Sequence, residues 1–138
     1  MLKRILSLFG LFGLITLLTG ALTAAAPIPN VTFTLVSGLP STMNVGDTAT
    51  VVVQVTSDQE FNFAQMLPTF YFPGRGVVAI QGGDHAGSGT TATLEITFEA
   101  KGSTADFGGA VLVSVVAGAR YRGGYFDSKQ FDFNVNVP

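Results

Sequence analysis

The chain has 138 residues and no cysteine, which excludes disulfides, thiol catalysis and cysteine-based zinc sites and leaves apolar burial as the source of stability. This length allows one domain behind a hydrophobic N-terminal leader. Outside that leader five basic residues face nine carboxylates, and the resulting net charge of −4 argues against a nucleic-acid or anionic-membrane surface.

The leader, residues 1–25, has the order of a secretory signal peptide. Two basic residues precede an apolar run from Ile5 to Leu22, and small residues follow. We expect cleavage after Ala25, which leaves a mature domain over 26–138. The alternative is an uncleaved membrane anchor, because the run approaches the roughly 20 residues that cross a bilayer. Either interpretation places the domain outside the cytoplasm, secreted or at the cell surface.

The first half of the domain reads as strands separated by turn residues. VTFTLV (31–36) alternates, and the Gly-, Pro- and Ser-rich segment 37–47 predicts a loop. TATVVVQVT (48–56) predicts a strand, and SDQE (57–60) predicts a turn after it. The residues of this strand expected to point inward are Ala49, Val51, Val53 and Val55.

The middle of the chain contains one unusual strand. FNFAQMLPTFYF (61–72) includes Pro68, which has no backbone donor, so this strand should bend there, lie at a sheet edge or pass between sheets. PGRG (73–76) predicts a turn and VVAI (77–80) a short strand. QGGDHAGSG (81–89) predicts a flexible loop.

The last part holds the clearest alternation and a hairpin. TTATLEITFEA (90–100) predicts a strand, and after the loop KGSTADFGG (101–109) two further strands cover 110–122 and 125–137. The residues of the first of these strands expected to point inward are Ala92, Leu94, Ile96, Phe98 and Ala100.

Gly123 and Gly124 predict a two-residue type I′ turn between the last two strands. That turn pairs residue 122 with 125 and 120 with 127, which sets apolar residues opposite polar ones. We therefore expect a one-residue bulge at Gly118 that restores a common apolar face; without a bulge, Leu112 and Val116 would point inward instead. The members of that face are Val111, Val113, Val115, Phe131, Phe133 and Val135.

About seven short strands without a helical period predict an all-β, two-sheet β-sandwich. The stretches MNVGDTATVVVQV, FNFAQMLPTFYFPGRGVVAIQGGD and GTTATLEITFEAKG resemble prokaryotic extracellular immunoglobulin-like sandwiches of the cohesin-like, carbohydrate-binding and S-layer or adhesin types. The resemblance spans 31–137 and implies an immunoglobulin-like fold, an extracellular setting and a non-catalytic role, with no ligand residue carried over. The segment between Asp84 and Gly89 is shorter than in cohesins, which argues against dockerin binding.

Few residues offer chemistry. His85 is the only histidine and lies in a glycine-rich stretch, so we expect no enzymatic activity and no cofactor. In an immunoglobulin-like topology Asp58, Glu60 and Asp84 would gather at one end of the sandwich, where carboxylate oxygens suit calcium. The simpler interpretation is three solvated loop acids. Asn30 begins an Asn-Val-Thr glycosylation pattern.

The same end should hold Arg120, Tyr121, Arg122 and Tyr125 on the final hairpin. Tyrosine and arginine on a protruding tip predict recognition of a carbohydrate or protein surface. The alternative is cross-strand packing with an Arg120–Asp127 ion pair.

These observations predict an exported, non-catalytic binding or structural module. The alternative function depends on APIPNVTFTLV, which could be the first strand of its own domain or could complete a sheet in a neighbouring copy. In that case the protein is a subunit of an extracellular filament or surface layer that polymerises by strand exchange.

Overall fold

A computed structural model describes residues 26–69 and 76–138. This part of the chain consists mainly of β-strands. It contains eight strands and two short 3₁₀ turns, Ala105–Phe107 and Arg122–Gly124. The strands are β1 (Val31–Ser37), β2 (Thr48–Phe61), β3 (Phe63–Thr69), β4 (Val77–Ala79), β5 (Asp84–Ala86), β6 (Gly89–Ala100), β7 (Ala110–Arg120) and β8 (Phe126–Asn136). Within the described ranges no helix is long and apolar enough to span a membrane. The predicted leader lies outside these ranges.

The strands form two antiparallel four-stranded sheets around one core. Sheet 1 has the order β1-β2-β6-β4 and sheet 2 the order β5-β3-β7-β8. The predicted all-β, two-sheet β-sandwich is therefore confirmed, with eight strands in place of about seven.

The alternating strands supply the core as predicted. In β2 and β6 the register sets Val53 opposite Leu94 and Val51 opposite Ile96, and all four side chains are fully buried. Ala49 and Ala92, at the two ends of this pattern, are partly buried. Each fully buried Val, Leu or Ile contributes about 1.5 to 3 kcal/mol relative to exposure, so these four side chains are a substantial part of the stabilising core.

Strand β3 shows why proline is tolerated at position 68. Strand β5 pairs with β3 only from Ala64 to Met66, so Pro68 lies where β3 is the sheet edge and needs no donor on that side. Two of the three predicted alternatives are observed, because the segment also passes between the sheets. The chain passes from sheet 1 to sheet 2 at Asn62, between β2 and β3. The predicted turn at 73–76 lies outside the described residues except for Gly76.

Two predicted connections are wrong because they contain strand. Residues 57–60 are not a turn but belong to β2, whose pairing with β6 shifts between Thr56 and Phe61. The segment 81–89 contains β5, which pairs with the edge of β3. The backbone ladder forms there without an apolar pattern, because hydrogen bonding to an open edge does not depend on side-chain type.

The final hairpin has the predicted facing residues but a different turn. Arg120 pairs with Phe126, so five residues, 121–125, form the connection, and β7–β8 pairing runs without a bulge. Val113 lies opposite Phe133 and Val115 opposite Phe131, as expected. The five-residue loop produces the pairing that we expected from a bulge at Gly118. The alternative for a hairpin without a bulge is wrong, because Val113 and Val115 are buried and Leu112 and Val116 lie on the opposite side of the strand.

Gly118 has another role. A Cβ placed there would lie 2.6 Å from Cζ of Phe126, so the absent side chain makes room for this ring.

Candidate functional site

A cleft of about 780 Å³ opens at the end of the sandwich where β7 leaves sheet 2. One wall is the segment Ala26–Pro29, which precedes β1. A second wall is the end of β2 and the crossing residue Asn62, and the third is the β7–β8 loop. The volume falls within the range of roughly 300–1,000 Å³ found for sites that hold small ligands.

Tyr121 lines the cleft from within the protein. It is only 4% exposed, and its hydroxyl forms a 2.7 Å hydrogen bond with Ser57 Oγ on sheet 1. The ring of Phe61 meets it edge-on, with centroids 6.4 Å apart and planes at 84°. Tyr121 therefore joins the two sheets, and its position is fixed by packing.

Tyr125 presents the exposed aromatic surface of the cleft. It is 37% exposed, and its ring lies 5.8 Å from that of Tyr121 at an angle of 54°. The Tyr121 amide donates to the Tyr125 carbonyl at 2.9 Å, which closes the loop. Gly123 and Gly124 have φ of 85° and 88°, a conformation that side chains disfavour, so this short loop requires both glycines.

The two predicted arginines lie on different surfaces. Arg122 is exposed and lines the cleft. Arg120 is on the outer surface of sheet 2, between Phe63 of β3 and Phe126 of β8. The predicted Arg120–Asp127 pairing is wrong, because Asp127 lies opposite Ala119 and its Oδ1 accepts the Ser128 amide. The structure thus brings Tyr121, Arg122 and Tyr125 together and separates Arg120 from them.

The N-terminal wall is held by hydrogen bonds to β2. Gln59 Nε2 donates to the Pro27 carbonyl at 3.0 Å. The Asn30 amide donates to Asp58 Oδ1 at 2.8 Å, and the Asp58 amide donates to the Asn30 carbonyl at 3.1 Å. These three bonds fix the segment that precedes β1 along one side of the cleft.

The three carboxylates considered for calcium have separate surroundings. Asp58 binds the Asn30 amide, whereas Asp84 Oδ2 accepts the Glu95 amide at 2.7 Å. Glu60 lines the cleft. Within residues 26–69 and 76–138, no group of three or more His, Cys, Asp or Glu residues could hold a metal ion. Asp58, Glu60 and Asp84 therefore do not form the calcium site considered from the sequence.

Two other candidate residues from the sequence, Asn30 and His85, do not line the cleft. Asn30 is exposed at the start of β1 and Thr32 is exposed within it, so the glycosylation pattern is at the surface. Glycosylation stays a prediction. His85 is on β5, opposite Gln65, on the outer surface of sheet 2.

Sequence reasoning missed several cleft residues, namely Gln59, Asn62, Ser88 and the segment 26–29. The first two were assigned to a turn and to a strand interior, so neither was examined for binding. A signal was present in the run Asp58-Gln59-Glu60, because side chains with amide and carboxylate groups at the end of a strand commonly bind polar ligands.

Comparison with protein-family models gives no match for this chain, and comparison with curated proteins gives no significant relative.

Proposed function

We propose that this chain is an exported, immunoglobulin-like β-sandwich that acts as a non-catalytic binding module at the cell surface or in secreted material. Its ligand is a carbohydrate, held in the cleft beside the β7–β8 loop. The observation that carries this proposal is the cleft itself, where an exposed tyrosine ring and several polar side chains converge.

The strand order supports an immunoglobulin-like fold. Immunoglobulin domains place strands A, B, E and D in one sheet and C, F and G in the other. Sheet 1, in the order β1-β2-β6-β4, corresponds to A-B-E-D, and β3-β7-β8 corresponds to C-F-G, with β5 added beside β3. In such domains the loops at one end of the sandwich form the binding surface, and the cleft lies at one end.

The composition of the cleft supports a sugar ligand. A sugar presents one apolar face and a ring of hydroxyls, so it needs an aromatic surface and side chains that both donate and accept hydrogen bonds. Tyr125 offers the aromatic surface. Arg122 donates, Glu60 accepts and Asn62 does both, and all three line the cleft. A concave site also suits a short glycan better than the flat surface typical of protein contacts.

The proposal is tested by titrating the protein with a panel of oligosaccharides in a calorimeter. For any glycan that binds, we expect Tyr125→Ala and Arg122→Ala each to weaken affinity about tenfold or more, as residues central to a binding site do. Arg120→Ala is the matched control, because this arginine is exposed outside the cleft. Thermal melts verify that the variants stay folded. Equal affinity in the Arg120 and Arg122 variants would contradict the assigned site, and binding of a protein but no glycan would contradict the assigned ligand.

The filament subunit remains a second candidate because of one feature of β1. This strand lies at the edge of sheet 1, and of its seven residues only Phe33 is buried. A strand that contributes so little to the core can be replaced by the same strand of a neighbouring copy. Filaments in electron micrographs of native secreted material would favour this candidate over the binding module.

A further inference from the structure

The outer surface of sheet 2 carries exposed apolar side chains that the cleft does not use. Outward residues of β3, β7 and β8 form rows across the strands, and we name this surface the sheet 2 outer face. Its rows are Phe63–Arg120–Phe126, Gln65–Gly118–Ser128, Leu67–Val116–Gln130, Thr69–Ser114–Asp132 and Leu112–Asn134. Leu67, Leu112 and Phe126 are 47%, 41% and 46% exposed. These three side chains lie in the first, third and fifth rows, so the exposed apolar surface is spread over the face and alternates with polar rows.

Arg120 is the charged residue of the first row. Within the part of the chain that the structure describes, its guanidinium makes no hydrogen bond or ion pair. Lys101, by contrast, binds Glu99 at 2.7 Å. A guanidinium between two aromatic positions on a sheet surface is suited to a planar carboxylate, which it can bind through two parallel hydrogen bonds.

Asp132 provides a carboxylate of this kind on the same face. Its Oδ1 accepts hydrogen bonds from Ser114 Oγ at 2.5 Å and from Gln130 Nε2 at 2.8 Å, while Oδ2 accepts none from residues 26–69 and 76–138. The two bonds fix the carboxylate and, with Ser114 as the larger cause, lower the pKa of Asp132 below its ordinary value. Asp132 is six residues from Phe126 along β8, about 20 Å from the row of Arg120, so the two cannot pair within one copy.

We propose that two copies of this chain associate through their sheet 2 outer faces, about a two-fold axis that crosses the strands at the Ala117–Lys129 pair. This pair lies midway between the Arg120–Phe126 row and the Ser114–Asp132 row. The axis therefore places Arg120 of each copy over the row that contains Asp132 of the other, and both ion pairs form together. A two-fold axis parallel to the strands would instead place Arg120 of one copy near Arg120 of the other. Two like charges at that distance repel each other and disfavour this arrangement.

The rows between the two ion pairs are compatible with this arrangement. The Leu67–Val116 row of one copy meets the Gln65–Gly118 row of the other, where the ring of Phe126 covers the glycine, so apolar side chains of the two copies come together. Strands of the two copies then run within about 30° of each other, as in other face-to-face sheet packings. Three strands about 4.8 Å apart and the seven facing residues from Ser114 to Arg120, at about 3.3 Å each, give about 670 Å² in total from the two copies, which indicates a weak dimer.

The dimer is tested by sedimentation equilibrium of the purified protein from about 1 μM to about 1 mM. We expect association in that range, and we expect Arg120→Asp and Asp132→Arg each to reduce the association constant about tenfold or more. The double charge exchange should restore association, since both ion pairs reform with reversed sign. Arg122→Asp is the control and should associate like the unaltered protein. A monomer throughout the range, or a double variant no stronger than the single ones, would overturn the proposal.

A second measurement does not depend on altering either charge. The chain has no cysteine, so Ser128→Cys gives a single thiol close to the proposed axis. A short bis-maleimide should link two copies of this variant. Thr93→Cys places the thiol at an exposed position of strand β6 in sheet 1 and should give little linked dimer. Equal linking of the two variants would overturn the assigned face.

Discussion

At the scale of single residues, Asp132 shows how neighbouring side chains set a charge. Ser114 Oγ and Gln130 Nε2 both donate to its Oδ1, which favours the ionised form and lowers the pKa of Asp132 below its ordinary value. We predict that an NMR titration of dilute protein places this pKa below that of ordinary aspartates and that Ser114→Ala raises it. Ser128→Ala, which removes a hydroxyl with no bond to Asp132, should leave the pKa unchanged.

The sign of the stability effect follows from the direction of that shift. A carboxyl whose folded-state pKa is depressed adds stability that is present above its unfolded-state pKa and is lost as the pH falls through the folded-state pKa. The destabilisation caused by Ser114→Ala should therefore be larger at neutral pH than in strong acid. An unchanged pKa of Asp132 in Ser114→Ala would show that the hydrogen bond does not hold the charge.

The grouping of site residues was only partly predictable at this scale. Sequence proximity suggested that Arg120, Tyr121 and Arg122 share a surface, but alternate residues of a strand point to opposite sides. Val115, Ala117 and Ala119 are buried. The same alternation of side chains along the strand points Tyr121 into the core and leaves Arg120 on the outer surface. The run Asp58-Gln59-Glu60 indicated polar binding side chains, but their position beside the β7–β8 loop was not predictable, because it depends on where the chain crosses between sheets.

At the scale of strands, the sequence predicted those elements that bury one side. β2 and β6 alternate between apolar and polar residues, so their inward residues were identified correctly. β5 and the end of β2 were missed because their pairing comes from backbone hydrogen bonds to strands distant in sequence. The hairpin turn was misassigned because two-residue and longer loops both accept glycines with positive φ.

Strand β1 provides a test at the same scale. It pairs with β2 of its own chain from Val31, and it covers the core with Phe33. We predict that a chain beginning at Ser37 loses cooperative folding or aggregates, because the edge of β2 and a core position become exposed. Circular dichroism and size-exclusion chromatography measure this. A synthetic peptide of residues 26–37 should restore folding, and a peptide with Phe33→Asp should not.

A stable, monomeric chain without β1 would contradict that prediction and would favour assembly by strand exchange. Aggregation that the peptide cannot reverse would instead show that β1 is needed during folding. These two outcomes separate a strand that belongs to its own domain from one that neighbouring copies exchange.

At the scale of the whole molecule, the two sheets depend on each other. Each sheet buries one side against the other, and one hydrophobic cluster contains residues from both, such as Leu94 of sheet 1 and Val115 of sheet 2. The hydrogen bond between Tyr121 and Ser57 joins the sheets at the end that carries the cleft. Without cysteine, no covalent link assists this contact. The binding end therefore keeps its shape only while the shared core is intact.

This dependence predicts a single unfolding transition. Far-UV circular dichroism reports both sheets, and near-UV dichroism reports tyrosine, because the chain has no tryptophan and Tyr121 is the buried tyrosine of the described residues. The two signals should give the same urea midpoint, with or without a reductant.

Leu94→Ala should lower the free energy of unfolding by about 3 kcal/mol and move both midpoints together, because it leaves a cavity in the shared core. Thr93→Ala, at an exposed neighbouring position, should change it by less than about 0.5 kcal/mol. Separate midpoints for the two signals would mean that the sheets unfold independently, and the cleft could then open without loss of the rest of the fold.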